Sequence, residues 1–132
     1  MRNLLFLAVL MTTACAETPV PPEVRTKQHD RVSIVQLLSN PEDFNGKPVR
    51  ITGYLQAEFE TYALWLHRED RVHGLLANRI DLEASACADR AEQVNESYVL
   101  LEGTFVIVER GTARERHLLQ NITRCQGWSD AQ

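Results

Sequence analysis

The chain has 132 residues, of which 44% are apolar and 24% are charged. This length and composition are those of a single globular domain and exclude a largely disordered protein. The formal net charge is −4, and an acidic body of this kind repels polyphosphates at long range. General nucleic-acid binding is therefore disfavoured, and nucleic acid is not an expected partner.

Residues 1–14 have the pattern of a lipoprotein signal peptide. Arg2 supplies a positive start, and residues 4–11 form an apolar run that is too short to span a bilayer. The junction with Cys15 resembles the lipobox of bacterial lipoproteins, in which the cysteine becomes the lipidated first residue. This resemblance implies a membrane anchor on Cys15 in the bacterial cell envelope, facing the periplasm. Ala16 after the cysteine implies the outer membrane if the source is Gram-negative, whereas ordinary cleavage near Ala14 or Ala16 would leave a soluble secreted protein.

Residues 15–30 follow as the lipidated cysteine and a flexible tether, because they contain three prolines and few apolar side chains. With Cys15 lipidated, Cys87 and Cys125 remain as an even pair in an oxidising compartment, which predicts a disulfide between them. Two free buried thiols are the alternative. A metal site is a weaker third hypothesis, because no histidine lies at ligand spacing from either cysteine.

The first predicted element is a short helix over residues 33–40. Ser33 is its expected N-cap and Gln36 the reciprocal partner in a capping box. Pro41 should end this helix, because the residue before a proline is pushed out of helical geometry.

A long strand is predicted after the Asn45-Gly46 turn, because apolar and polar residues alternate there with a period of two. One face carries Val49, Ile51, Gly53, Leu55, Ala57 and Phe59, and the other carries Arg50, Thr52, Tyr54, Gln56 and Glu58. The apolar face is expected to lie in the core.

Residues 62–67 are predicted to form a hairpin with this strand. A single pairing register fits the residues of both faces. It pairs Tyr54 with Trp65, Leu55 with Leu64, Gln56 with Ala63 and Gly53 with Leu66. Further strands are predicted over residues 79–84, 98–108 and 115–124, with a connecting helix over 85–95 and a bend at Gly103.

These elements predict a mainly β fold, a five-stranded OB-fold-like barrel over residues 31–128, followed by a tail at 129–132. The barrel would carry a short N-terminal helix and a second helix between its third and fourth strands. A small α+β sandwich built from the same strands is the alternative.

The sequence resembles small bacterial OB-fold lipoproteins of uncharacterised function. The resemblance is carried by residues 35–38, 40–42, 45–54, 63–66, 69–70, 98–105, 122–124 and 128–130. It covers most of the mature domain and implies the barrel and the envelope location. Its motifs are turn glycines, core alternation and a helix cap, so it transfers no reaction to this chain.

The predicted ligand-binding residues are Arg50, Tyr54, Gln56 and Trp65 on the outward face of the first hairpin. Aromatic rings beside an arginine can stack a sugar, a base or a peptide side chain. The alternative is that the connecting or N-terminal helix covers the aromatic residues, so that they form a satellite core.

Sequence evidence for catalysis or a cofactor is weak. His67 and His73 are six residues apart, which is not a helical ligand spacing, and no HExxH motif is present. No catalytic residue, metal or cofactor is therefore assigned. The leading hypothesis is a non-catalytic, membrane-anchored envelope lipoprotein that binds a protein or a small ligand. The alternatives are an envelope hydrolase or metal-dependent enzyme that uses the loop of His67 and Asp70, and a disfavoured oligonucleotide-binding module.

Overall fold

The computed structural model describes residues 28–58, 60–110 and 113–130. The predicted signal peptide, Cys15 and nearly all of the predicted tether lie outside these residues, as does Phe59. The strands are β1 (Asp30–Arg31), β2 (Pro48–Glu58), β3 (Thr61–Trp65), β4 (Arg79–Leu82), β5 (Tyr98–Arg110) and β6 (Ala113–Gly127). The helices are α1 (Ile34–Ser39), α2 (Pro41–Phe44), α3 (Arg68–Val72) and α4 (Ala91–Val94), with single 3₁₀ turns at Leu76–Asn78 and Trp128–Asp130.

Five strands, β2 to β6, form a closed barrel. The first half of β2 pairs antiparallel with β5, and its second half pairs antiparallel with β3. The barrel continues from β3 to β4, from β4 to β6 in parallel, and from β6 back to β5. The two-residue β1 adds to β2 in parallel. The predicted mainly β barrel is therefore confirmed, and its sheet begins at Asp30, the last residue of the predicted tether.

The register of the first hairpin follows the sequence prediction closely. Tyr54 pairs with Trp65, Leu55 with Leu64 and Gln56 with Ala63. The fourth predicted pair does not form, because β3 ends at Trp65 and Gly53 faces Val99 of β5. The backbone N–H of Leu66 instead donates to the carbonyl of Asn78.

The barrel interior is filled by the apolar face that the sequence predicts. Val49, Ile51 and Leu55 are each at most 1% exposed, and Phe105 of β5 is fully buried among them. Helix α1 adds Ile34 and Leu37 to this core, and its first turn is closed by the predicted capping box. In that box the Ser33 hydroxyl accepts from the backbone N–H of Gln36, and the Gln36 side chain accepts from the backbone N–H of Ser33.

The connection between β4 and β5 is less helical than predicted. Residues 84–90 form turns, and only Ala91–Val94 is helical. Cys87 explains the difference, because its φ of 57° is left-handed and a right-handed helix cannot continue through it. Its sulfur lies at disulfide distance from that of Cys125, with the two Cα atoms 5.6 Å apart, as expected for the predicted pair.

No helix within the described ranges is long and apolar enough to cross a membrane.

Candidate functional site

The predicted aromatic pair lies on the outer side of the barrel, but it is buried. Tyr54 is 6% exposed and Trp65 is 3% exposed, and with Ala63 they form a second apolar cluster that is separate from the barrel core. The expectation of an exposed aromatic platform is therefore wrong. The alternative, a satellite core on the outer face, agrees with the structure.

Side chains from neighbouring segments close this outer cluster. The indole Nε1 of Trp65 donates to Oε1 of Gln56 at 3.0 Å, and the guanidinium of Arg79 stacks on the Trp65 ring at 5.4 Å. Tyr98 meets Tyr54 edge to face, with the ring centroids 5.4 Å apart. The predicted site residue Gln56 is thus engaged in holding Trp65 in place.

Helix α3 lies on the same side of the barrel and is fixed by polar contacts. Its Arg71 pairs with Glu58 of β2 and with Glu96 of the segment before β5. The backbone N–H of Arg68 donates to the hydroxyl of Tyr98 at 3.4 Å. Helix α3, which the sequence-based alternative did not name, therefore borders the aromatic cluster.

The fourth predicted site residue, Arg50, lines a groove of about 540 Å³ on the other part of the outer face. Strand alternation points Arg50 and Thr52 outward from β2, and their cross-strand partners on β5 are Glu102 and Leu100. Trp128, just past the end of β6, forms another wall. The segment that leads into α1 contributes Arg31 and Ser33 to the rim, and the first turn of α1 contributes Gln36.

Arg50 is held in place by Glu102. The guanidinium Nε and Nη2 lie 2.7 and 2.6 Å from Oε1 of Glu102, whose side chain is 12% exposed. Arg124 contacts the same oxygen at 3.3 Å, and Nδ1 of His29 lies 3.7 Å from Oε2. Burial is the largest influence on this carboxyl and raises the pKa of Glu102. The hydrogen bonds from Arg50 and Arg124, with the charges of Arg50 and His29, outweigh burial and hold that pKa below its ordinary value.

Three other side chains of the groove are available to a ligand. Trp128 is 46% exposed, and Arg31 is also exposed. Within the described ranges, no hydrogen bond or ion pair engages the Arg31 guanidinium, the Thr52 hydroxyl or the Trp128 indole N–H. The groove therefore combines an exposed aromatic ring with polar groups that have no partner among the described residues.

Among the residues that line this groove, only Arg50 is predicted as a site residue from the sequence. Arg50 was expected in the site and lies in it, whereas Tyr54, Gln56 and Trp65 belong to the closed cluster. Trp128 and Arg31 were not expected as site residues. Correct pairing of β5 with β6 would have indicated Trp128, because Gly127 lies opposite Val99 and the next residue comes beside the start of β5.

The loop of His67 and Asp70 is held in place by hydrogen bonds to the Asp70 carboxylate. Asp70 is 7% exposed, and its carboxylate accepts the backbone N–H of His67 at 2.9 Å and the side-chain amide of Asn78 at 2.8 Å. These bonds tie the two ends of the loop together. In the described part of the chain, no group of three or more His, Cys, Asp or Glu side chains is placed to hold a metal ion. The enzyme hypothesis gains no geometric support from this loop.

Comparison of the chain with protein-family models, with curated proteins and with solved structures gave no match. A functional assignment therefore rests on the residues of this chain and their arrangement.

Proposed function

We propose that the protein is a non-catalytic envelope lipoprotein, anchored through Cys15, whose barrel is an OB-fold binding module for a protein or a small ligand. The observation that carries this proposal is the groove beside Arg50, which presents Arg31, Thr52 and Trp128 without protein partners among the described residues. Small-molecule sites are concave, partly apolar and provided with a few polar groups, and the groove volume of about 540 Å³ falls in their usual range.

The strand arrangement supports the OB-fold part of the proposal. OB-folds are five-stranded Greek-key barrels, and here the last strand returns to pair in parallel with the third barrel strand, β4. Ligands of OB-folds usually bind on the face of the second and third strands. In this chain that face is closed by Trp65 and Arg79, so the proposed site lies on the first and fourth barrel strands, β2 and β5.

The position of the tether supports the anchoring part. Cys15 is separated by 15 residues from Arg31, which both enters the sheet as β1 and lines the groove. A tether of that length reaches at most about 58 Å when fully extended. A lipid on Cys15 would therefore keep the groove close to the membrane surface, within reach of envelope components.

A fractionation experiment tests the anchor. The full-length protein and its Cys15→Ala variant are expressed in a bacterium with lipoprotein processing, and each is followed through membrane and soluble fractions. We expect the parent protein in the membrane fraction and the variant in the soluble periplasmic fraction. Recovery of the variant with the membranes at the parent level would contradict lipid anchoring.

Photo-crosslinking in intact envelopes tests the binding site. A photoreactive amino acid replaces Gln36 on the groove rim in one variant, and replaces the neighbouring Val35 in the control. Val35 is 53% exposed on the same helix and is not part of the groove. We expect reproducible crosslinks from the Gln36 variant alone, and equal crosslinking from both, or none from either, would contradict the proposed site.

A further inference from the structure

The available side chains of the groove are hydrogen-bond donors. Arg31 and the Trp128 indole can only donate, and the Thr52 hydroxyl can donate as well as accept. Gln36 uses its Oε1 in the capping box, so its amide nitrogen is the end that remains for a ligand. The carboxylate of Glu102, the cross-strand neighbour of Arg50, already accepts from Arg50 and Arg124 through its Oε1.

The charge around the groove is positive although the protein is acidic. Glu102 balances one of the two arginines that contact it, and Arg31 adds a further positive charge without an ion pair within the described ranges. The chain as a whole carries a formal charge of −4. The groove is therefore a local site of attraction for an anion on a protein whose net charge is negative.

The remaining walls of the groove are apolar. Leu100 lies between β2 and Trp128 and is 8% exposed, and nearly half of the Trp128 surface is open. An indole ring offers a large flat apolar surface with one N–H at its edge. This wall suits a ligand that has a ring-shaped apolar face of its own.

We propose that the groove binds an anionic sugar, with the sugar ring against Trp128 and its carboxylate or phosphate on Arg31. This proposal rests on the proposed binding function and names the ligand class of the same site. Sugar hydroxyl and ring oxygens accept hydrogen bonds, so the donors of Thr52 and Gln36 match them. Arginine can bind either a carboxylate or a phosphate through two parallel N–H groups, and the experiment separates the two sources.

The net charge separates this ligand from a nucleic acid. The chain carries a formal charge of −4, so the protein as a whole repels a polyphosphate. A single carboxylate or phosphate requires only a local positive charge, which Arg31 supplies without an ion pair within the described ranges. The groove therefore favours a ligand with one anionic group and an apolar ring face.

Calorimetric titration of the full-length protein in detergent micelles tests the ligand class. The probes are N-acetylmuramic acid, N-acetylglucosamine 6-phosphate, neutral N-acetylglucosamine and D-lactate, which separate the ring from the charge. We expect at least one anionic sugar to bind tenfold or more tightly than the neutral sugar and than lactate, because a hydrogen bond to a charged group contributes about this much. The stronger of the two anionic sugars identifies the carboxylate or the phosphate as the recognised group. Equal binding of neutral and anionic sugars, or no binding of any sugar, would overturn the proposal.

Two variants and a control assign the contacts. Arg31→Gln should weaken binding of the anionic sugar at least tenfold and leave the neutral sugar unchanged, whereas Trp128→Ala should weaken both. Arg68→Gln, an exposed arginine outside the groove, should change neither. Unchanged affinity in Arg31→Gln, with the fold confirmed by circular dichroism, would refute the assigned role of Arg31.

The experiments distinguish failure of the proposed ligand class from failure of the proposed binding function. Crosslinking from the Gln36 position without sugar binding would retain the binding module and reject the anionic sugar. Failure of both the crosslinking and the titration would reject the proposed function as well.

Discussion

Gly53 of β2 and Ile34 of α1 are in such close contact that no side chain fits between them. A Cβ atom placed on Gly53 would lie 2.7 Å from Cδ1 of Ile34, and equally close to Cγ of Leu64 and the carbonyl oxygen of Trp65. Real Cβ atoms do not approach other heavy atoms to this distance. The glycine therefore lets the N-terminal helix pack directly onto the barrel, and that helix carries the rim of the groove.

Gly53→Ala should destabilise the protein by about 3 kcal/mol, the upper end of the range for overpacked cores, because one of the three obstructing atoms belongs to the backbone. Urea unfolding followed by circular dichroism measures this change. Adding Ile34→Val, which removes Cδ1, should recover part of the loss.

Gly46→Ala is the matched control for Gly53→Ala. Gly46 has a φ of 77°, and a Cβ atom placed on it would have no other atom within 4 Å, so its substitution costs only the left-handed backbone strain of about 1–2 kcal/mol. Ile34→Val should recover nothing in that background. Equal recovery in both backgrounds would show that contact with Ile34 is not the cause.

Local sequence signals predicted the parts of this fold that depend on neighbouring residues. The period of two along β2 indicated the buried face, and agreement of both faces indicated the register of Tyr54 with Trp65. The Ser33 cap was predictable because its partner is three residues away. In each case the residues that decide the structure lie within one hairpin or one helical turn.

The candidate site was predicted only in part because it is assembled from distant segments. Whether Trp65 is exposed depends on Arg79, a residue on a different strand, and period-two alternation carries no information about such a contact. The groove joins Arg31 to Trp128, nearly a hundred residues apart. Their proximity follows from closure of the barrel, which no local pattern specifies.

The Asp70 carboxylate should stabilise the loop that links β3 to β4. Asp70→Ala removes two hydrogen bonds to a buried charge and leaves the backbone N–H of His67 and the amide of Asn78 without their acceptor. We expect a loss of about 2–3 kcal/mol in the free energy of unfolding, measured in urea.

A residue exchange distinguishes this pairing from simple loss of packing. Asp70→Asn alone should destabilise the protein, because the neutral amide offers one acceptor oxygen and no charge to the two groups that donate to the Asp70 carboxylate. Combining it with Asn78→Asp restores a donor opposite an acceptor, and we expect the double variant to recover most of the loss. Additive effects of the two changes would argue against the Asp70–Asn78 hydrogen bond.

The stability contributed by Glu102 should depend on pH. Because the folded protein lowers the pKa of Glu102 below its ordinary value of 4.5, this contribution is present above about pH 4.5 and is lost as the pH falls through the lower folded value. Glu102→Gln should therefore lower the free energy of unfolding at pH 7 and have a smaller effect at pH 3. Urea unfolding at both pH values checks this, with the exposed Glu92→Gln as control. A Glu102→Gln effect that is the same at both pH values would contradict an ionised Glu102 as its source.

The Cys87–Cys125 pair should stabilise the junction between the β4–β5 connection and β6. The two cysteines are 38 residues apart in sequence, and closing a loop of that size contributes roughly 3–4 kcal/mol on the chain-entropy model. Replacing both cysteines by serine should lower the free energy of unfolding by about that amount. Reductant should then weaken the parent protein and leave the double variant unchanged. Alkylation of both thiols without reductant would show that the pair is not bonded.

Trp65 should contribute to stability and not to ligand binding. It is 3% exposed and is engaged by both Gln56 and Arg79, so Trp65→Ala should cost about 3–5 kcal/mol in the free energy of unfolding, as for other buried aromatic residues. Trp65→Phe keeps most of the packing and loses the indole hydrogen bond, which should cost about 1 kcal/mol for that bond.

Crosslinking from the Gln36 position provides the second readout for Trp65. Trp65→Phe should leave it at the parent level, because the closed aromatic cluster and the groove are lined by different residues. Trp128→Ala should show the reverse pattern, with stability nearly retained and binding lost, since its ring is 46% exposed. Loss of binding in Trp65→Phe at unchanged stability would instead place the binding site at Tyr54, Gln56 and Trp65, as the sequence predicts.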